Sequence, residues 1–428
     1  MSNSVSEAPP RSELHRLLGH PTNLDGHIAA HGPLEVNPRD PTSWQRSLAV
    51  SLEASGLSGR GGGGFPTSMK LAATSAHGLG GTLVVNGMEG EPASDKDKVL
   101  LTRAPHLVLD GAQFLAAMCR TRQIVVCVPT GRDGIAASVQ HAIDERAAAR
   151  YSRVSEIIVR PPDRFVAGEE SALASWVDGR NGLPVFRPDK GVPLRIGKRP
   201  ALVHNTETLA HVALIARNGP EAFLARGIEE ERGTCLVTVS GSVTNPGVVE
   251  VDRGTPLWDI ALRGTPTEPT QALLVGGYGG NWVGPEFFDT PYASVSLRAI
   301  GASAGVGVIA VLGQTACGVA ETARMARYLA GQSAGQCGPC VFGLPAIADD
   351  LARLARGHTD PDLMARLQHR LVEVNGRGAC RHPDGAVSLV RSALNVFAKD
   401  VMAHERGQPC QHWRHLSALP FPRRITLT

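Results

Sequence analysis

The sequence has no apolar run long enough to cross a bilayer; the longest, near Ala304 to Gly313, is short and interrupted by glycine. The opening stretch MSNSVSEAPPRSELHRLL has no apolar signal core, so a cytoplasmic location is expected. An excess of charge of one sign is also missing: 43 basic residues face 40 acidic ones, mixed along the chain for a net +3. No nucleic-acid footprint follows from that balance. Cysteine is sparse, eight in 428 residues, too few for a disulfide framework in a chain this long, so reduced thiols or metal ligands are expected. Lysine is scarce too, only six of the 43 basic residues, which gives each one weight.

What is present is an ordinary composition, 42% hydrophobic and 19% charged, with material for two to four domains. Residues 1–45, rich in Pro, Ser, Asn and His and without periodicity, read as an arm. An amphipathic helix over Trp44 to Glu53 runs into GLSGRGGGGFPTSMK, a loop too rich in glycine for helix or strand. Beyond it, TLVVNG, QIVVCVPT and SEIIVRPP alternate with the helical patterns HLVLDGAQFLAAMCR and DGIAASVQHAIDERAAAR. That alternation predicts a parallel sheet of βαβ units, an α/β fold over 46–226. Residues 227–303 change texture, with CLVTVSGSV, GVVEVDRG, QALLVGGYGG and SLRAIG as short strands in a small β-rich module. From 304 to 428 four helical stretches, each closing on glycine, predict a bundle.

Several motifs carry chemistry. The tetrad C-G-P-C at Cys337 to Cys340 suits a thiol-disulfide oxidoreductase only after a β-strand, and here it falls between helices. With Cys380 and His382 of GACRHPDG it makes three thiolates and a histidine, so a zinc site also stays open. Gly59, Gly61 and Gly64 satisfy G-x-G-x-x-G, but after a helix rather than a strand, which weakens a dinucleotide fingerprint. The loop still offers backbone amides to a phosphate, with Lys70 nearby as a point charge. Two acidic pairs, Glu89 with Glu91 and Glu169 with Glu170, either serve helix N-termini or border a ligand at strand ends.

In this order, GRGGGGFPTSMK, NGMEGEPASDKDK, GEESALASWVDGRNGLP, HNTETLA and GQCGPC resemble the NADH-binding flavoprotein subunit of respiratory complex I and its relatives in bidirectional hydrogenases and NAD-linked formate dehydrogenases. The resemblance covers roughly residues 25 to 405. It implies a Rossmann-like FMN-binding domain, a β-grasp (SLBB-type) module and a C-terminal helical bundle holding a [4Fe-4S] cluster. It further implies that Gly61, Gly62, Gly63, Gly64 and Lys70 hold the FMN phosphate, and that Asn86, Glu89, Gly168, Glu169 and Asn205 surround flavin and ribityl. Phe65, Glu91 and Glu170 would face NADH, while Cys337, Cys340 and Cys380 would ligate the cluster. An iron-sulfur partner subunit, ferredoxin-like or thioredoxin-like, is implied as well, in a larger redox complex that can sit at the periphery of a membrane.

The departures from the family pattern are specific. Ala334 stands where the first cluster cysteine belongs, leaving the fourth iron to solvent, Ser333, His382 or a partner's side chain, with Cys317 a remote spare. Met88 replaces an aspartate and Phe165 a tyrosine. Arg187 and Lys190 lie where the nucleotide stacks, which tilts the expected substrate from NADH toward NADPH. A ferredoxin:NAD oxidoreductase-type subunit and a scaffold that has lost its cofactors are the rival readings.

Overall fold

The computed structural model describes residues 16–35, 41–188 and 191–422, together with 425 and 427. Lys190 lies outside the described residues. Near the amino end, α1 (Leu24–His31) is capped by Asn23, which accepts from the Gly26 amide at 2.8 Å. The expected aperiodic arm is therefore ordered in this part, and the cause is tertiary. His27 of α1 lies 2.8 Å from the buried carboxylate of Asp110, which also pairs with Arg146 at 2.9 Å and with Arg217.

After α2 (Pro41–Ser55), the glycine loop and α3 (Thr67–Ala76) come β1 (Thr82–Asn86), α4 (Lys96–Arg103), α5 (Pro105–Cys119), β2 (Gln123–Cys127) and α6 (Asp133–Ala148). Then follow β3 (Glu156–Val159), α7 (Glu170–Val177), β4 (Leu194–Ile196), β5 (Arg199–Asn205) and α8 (Thr206–Asn218). The strands form one sheet in the order β3-β2-β1-β5-β4, parallel except for the edge strand β4. Alternate residues serve opposite faces. Leu83 and Val85 pack with Ile124, Val126 and Leu202 on one side, while Val84, Val125 and Val203 meet Leu173 of α7 on the other. Chain order along the sheet reverses between β1 and β5.

The next segment comprises α9 (Glu221–Leu224), the short pair β6 (Gly227–Ile228) and β7 (Glu231–Arg232), β8 (Thr234–Gly241), β9 (Gly247–Asp252) and α10 (Leu257–Leu262). It continues with β10 (Thr270–Val275), β11 (Asn281–Val283), α11 (Ser294–Ala299) and β12 (Val308–Gly313). A second sheet results, in the order β11-β10-β12-β8-β9, with β12 and β8 parallel and the other pairs antiparallel. Two expectations differ here. SLRAIG is helical rather than a strand, because Leu297 and Ile300, three apart, both reach the core, a spacing a helix satisfies. The expected boundary at residue 303 falls inside the second sheet, since β12, buried along its whole length, is its central strand.

The carboxyl-terminal helices are α12 (Gly318–Gly331), α13 (Leu344–Ala355), α14 (Leu363–Val374), α15 (His382–Val396) and α16 (Ala398–Glu405). The last expected helix is split in two at Phe397, which leaves helical geometry and sets its ring 5.2 Å from that of Trp282. These helices cover one face of the second sheet: Leu274, Ala310 and Leu312 share a core with Ala320, Met325 and Ile347. Among the described residues no helix is long and apolar enough to cross a membrane.

Candidate functional site

Asn86 and Asn205 end β1 and β5 at the point where strand order reverses, which is where open α/β sheets hold their ligands. They border a cleft of two lobes, about 550 Å³ and about 300 Å³, the size range of small-molecule sites. All thirteen residues expected at the cofactor line it. Gly62, Gly63, Gly64, Phe65, Lys70 and Glu170 belong to the larger lobe, Glu89 and Glu91 to the smaller, and Gly61, Asn86, Gly168, Glu169 and Asn205 to both.

The glycine loop is closed at its base by the Gly59 amide on the Phe65 carbonyl at 2.9 Å, and tethered to α8 by the Arg60 amide on Thr208 Oγ1 at 2.9 Å. Gly62 and Gly64 take φ of +92° and +60°, backbone that a Cβ disfavours. A Cβ on Gly61 would stand 3.3 Å from that of Asn205. Among the described residues no hydrogen bond takes up the amides of Gly61 to Gly64, so four donors are available at the cleft wall. Lys70, in the first turn of α3, donates to the Val203 carbonyl at 2.6 Å and pairs with Glu170.

Below the loop lies a charge network. Asn86 Nδ2 donates to the Gly168 carbonyl at 2.9 Å. Asn205 caps α8 by accepting from the Glu207 amide at 3.0 Å and donates to Asp97 at 2.6 Å. Lys96, only 1% exposed, is 2.7 Å from Asp97 and 3.1 Å from Glu207. Burial opposes its charge, but Asp97, Glu207 and Glu89 outweigh that and raise its pKa above the ordinary lysine value. Glu89 accepts from the amides of Asp97 and Lys98 at 3.3 and 3.2 Å; burial, then Asp97, push its pKa up to about 7. Glu91 accepts from Ala93 at 3.2 Å and Tyr278 at 2.9 Å, and burial takes it up to about 7 as well. Glu169 caps α7, accepting from the amides of Ser171 and Ala172 at 2.9 and 3.0 Å.

The sequence reading missed Lys96 and Asp97, although the run DKDK was a signal in a chain with six lysines. It also missed Phe186, which lines the larger lobe at 68% exposure beside Arg187. Met88 borders the smaller lobe and also packs with Val84 and Leu173.

Cys337, Cys340 and Cys380 lie close enough to act on one another electrostatically. Cys340 sits in a wide helical turn, Pro339–Gly343, and burial followed by Cys380 and Cys337 pushes its thiol up to about 12. Amides point at two of the sulfurs, Ala379 N–H at 3.5 Å from Cys337 Sγ and the His382 amide on Cys380. The trio is spaced more widely than a single ion requires, since their ligand atoms do not all lie within 4.8 Å. Three clustered cysteines, two of them with N–H donors aimed at sulfur, suit an iron-sulfur cluster, and Cys380 itself lines both lobes of the cleft. His382 Nε2 faces the Leu329 carbonyl at 2.8 Å and must carry the proton there, leaving Nδ1 buried without a partner among the described residues. Its ring lies 5.4 Å from Phe165, which borders the smaller lobe. Cys317 does not join the trio.

Residues 52–214 match the Nuo51 FMN-binding domain, and residues 314–404 match the NADH-ubiquinone oxidoreductase-F iron-sulfur binding region. The F subunit of NADH-quinone oxidoreductase from Streptomyces coelicolor is 27% identical over 376 residues, covering 85% of this chain and 84% of the relative. Its counterpart from Mycobacterium bovis is 28% identical over 405 residues, 90% and 89% of the two chains. The chain carries both of these regions and is similar to NADH-quinone oxidoreductase F subunits over most of its length. Among solved structures, NAD+-reducing [NiFe]-hydrogenase in the air-oxidized state is similar, at a TM-score of 0.79 and 29% identity over 87% of this chain. The H2-reduced state gives a TM-score of 0.77 at 28% identity over 86% of this chain. The chain spans 63–65% of those hydrogenase chains. Both halves of the family pattern thus fall on the elements that build the cleft and the thiol trio.

Proposed function

We propose that this chain passes electrons from a nicotinamide nucleotide through FMN to a [4Fe-4S] cluster and on to an acceptor subunit. The observation that carries the reading is Cys380, which borders the same cleft as the glycine loop. FMN, when bound, accepts a hydride and gives up electrons singly, the chemistry that joins a two-electron donor to one-electron iron-sulfur carriers. The chain's own residues supply position and field. Gly61 to Gly64 and Lys70 meet the phosphate, while Asn86, Glu89, Gly168, Glu169 and Asn205 hold the ring and ribityl chain. Lys96 adds a buried cation beside them. Phe65, Glu91 and Glu170 face the dinucleotide, and Phe186 offers an exposed aromatic face on which it stacks. Arg187 favours a 2′-phosphorylated nucleotide, NADPH over NADH.

Cys337, Cys340 and Cys380 supply three cluster ligands, and the orphan Nδ1 of His382 is the strongest side-chain candidate for the fourth, ahead of Ser333. By this reading residues 46–226 form the Rossmann-like domain, a β-grasp (SLBB-type) module follows and extends to β12, and the remaining helices form the cluster-binding bundle. An iron-sulfur partner subunit, ferredoxin-like or thioredoxin-like, then takes the electrons in the cytoplasm or at the edge of a membrane complex.

Anaerobic purification tests this directly. The expected result is stoichiometric FMN, reduced in stopped-flow mixing faster by NADPH than by NADH. A colourless protein that takes up no added FMN overturns the flavoprotein reading, and a strong NADH preference overturns the role of Arg187. Cys380→Ala is expected to abolish bound iron while FMN is retained; unchanged iron removes Cys380 from the ligand set.

A further inference from the structure

Outside the cleft, Cys317, His404 and Cys410 bring their ligand atoms within 4.8 Å of one another, the only such trio of His, Cys, Asp or Glu among the described residues. Cys317 caps α12 and is 3% exposed, His404 closes α16 at 0%, and Cys410 opens the segment that follows. We infer that these three side chains bind a single zinc-class d10 cation, separate from the iron-sulfur site.

The tautomer of His404 is decisive. Its Nδ1 faces the carbonyls of Leu354 and Ala355 at 3.2 and 3.0 Å, and since carbonyls only accept, Nδ1 carries the proton. Nε2 is therefore the unprotonated nitrogen, and it lies 3.6 Å from Cys317 Sγ. A tetrahedral ion with bonds of about 2.3 Å to sulfur and about 2.05 Å to nitrogen separates those two atoms by about 3.6 Å. An Nδ1–H held by backbone carbonyl is also the arrangement that orients a metal-ligating histidine. Nε2 takes a long hydrogen bond from the Cys410 amide at 3.3 Å, a contact weak enough for a cation to displace. Two sulfurs and an imidazole select a soft or borderline metal over magnesium or calcium. The fourth position falls to water or to Asp400, one helical turn before His404 and near enough to act on Cys317.

The bound ion would fasten the tail to the helices. Beyond Cys410 the chain crosses α12, with Arg324 on the carbonyls of Trp413 and His415 at 3.2 and 2.6 Å and the Ala418 amide on Glu321 at 3.1 Å. It then reaches Tyr278, whose hydroxyl donates to the Pro420 carbonyl at 2.5 Å and whose amide holds Glu91 in the cleft. A site at Cys410 thus clamps the segment that buttresses the smaller lobe, at Glu91, from behind.

The test uses the full chain purified anaerobically. Elemental analysis is expected to find about one zinc per chain, falling to near none in Cys410→Ser, with iron and FMN unchanged. Should that variant misfold, exchange of the native protein into cobalt(II) gives a second measurement: thiolate-to-cobalt absorption in the near ultraviolet with intense visible bands supports the site. Absence of both zinc and the cobalt bands overturns the inference, as does zinc that persists in Cys410→Ser or a Cys317 to Cys410 disulfide found by peptide mapping of the native protein. Because iron is read separately, loss of the cluster and loss of this site are distinguishable.

Discussion

Asn86 and Asn205 are register partners at the carboxyl ends of β1 and β5, and each turns its side chain to a different wall of the cleft: Asn86 to the Gly168 carbonyl, Asn205 to Asp97 and the start of α8. Asn205→Ala removes a helix cap, which costs about 1 kcal/mol. It also leaves Asp97 Oδ2 without its donor at the cleft, while Oδ1 keeps Lys96 and Thr206. FMN affinity is expected to fall about tenfold, corresponding to about 1.4 kcal/mol. Fluorescence titration of apoprotein with FMN measures this, and an unchanged dissociation constant contradicts it.

Neighbouring glycines in the loop separate conformation from space. Gly62 has φ +92°, whereas Gly63 is not in the left-handed region, and a methyl group added there would meet nothing within 4 Å. Gly62→Ala is expected to cost about 1 kcal/mol of stability through backbone strain, while Gly63→Ala stays within about 0.5 kcal/mol of the parent. Equal denaturation midpoints for the two variants would refute the strained-loop account.

Lys96 neutralises two buried carboxylates. Lys96→Met leaves Asp97 and Glu207 without their cation, a loss of about 3–5 kcal/mol, and adding Glu207→Gln should recover part of it. Urea unfolding decides, and a loss below about 1 kcal/mol would mean that water already screens the pair.

Glu91 carries a pH signature. Its folded value of about 7 lies above the ordinary 4.5, so the folded chain holds the proton through a window in which the unfolded chain has released it. The stability this lends is full below about pH 4.5 and is lost as pH rises toward 7. Glu91→Gln stays neutral throughout, so its stability relative to the parent should rise between pH 5 and pH 8 by on the order of 3 kcal/mol. Parallel pH-stability curves for the two proteins would sink the assignment.

What the residues fix by themselves is local. Glycines at 61 to 64 preclude regular structure and expose amides whatever the rest of the chain does. Short β-branched strands alternating with helices dictate a parallel sheet, and C-G-P-C keeps two sulfurs together. Other features arise from partners distant in sequence. α1 is ordered by Asp110, SLRAIG becomes a helix because two side chains three apart find the second core, and the last long helix breaks where Phe397 meets Trp282. The register that sets Asn86 beside Asn205, the return of Cys380 to the cleft, and the meeting of Cys317 with His404 and Cys410 belong to the same class. Conformational preference is a property of a few bonds and can be read along the chain; proximity between distant residues exists only after sheets and helices have packed.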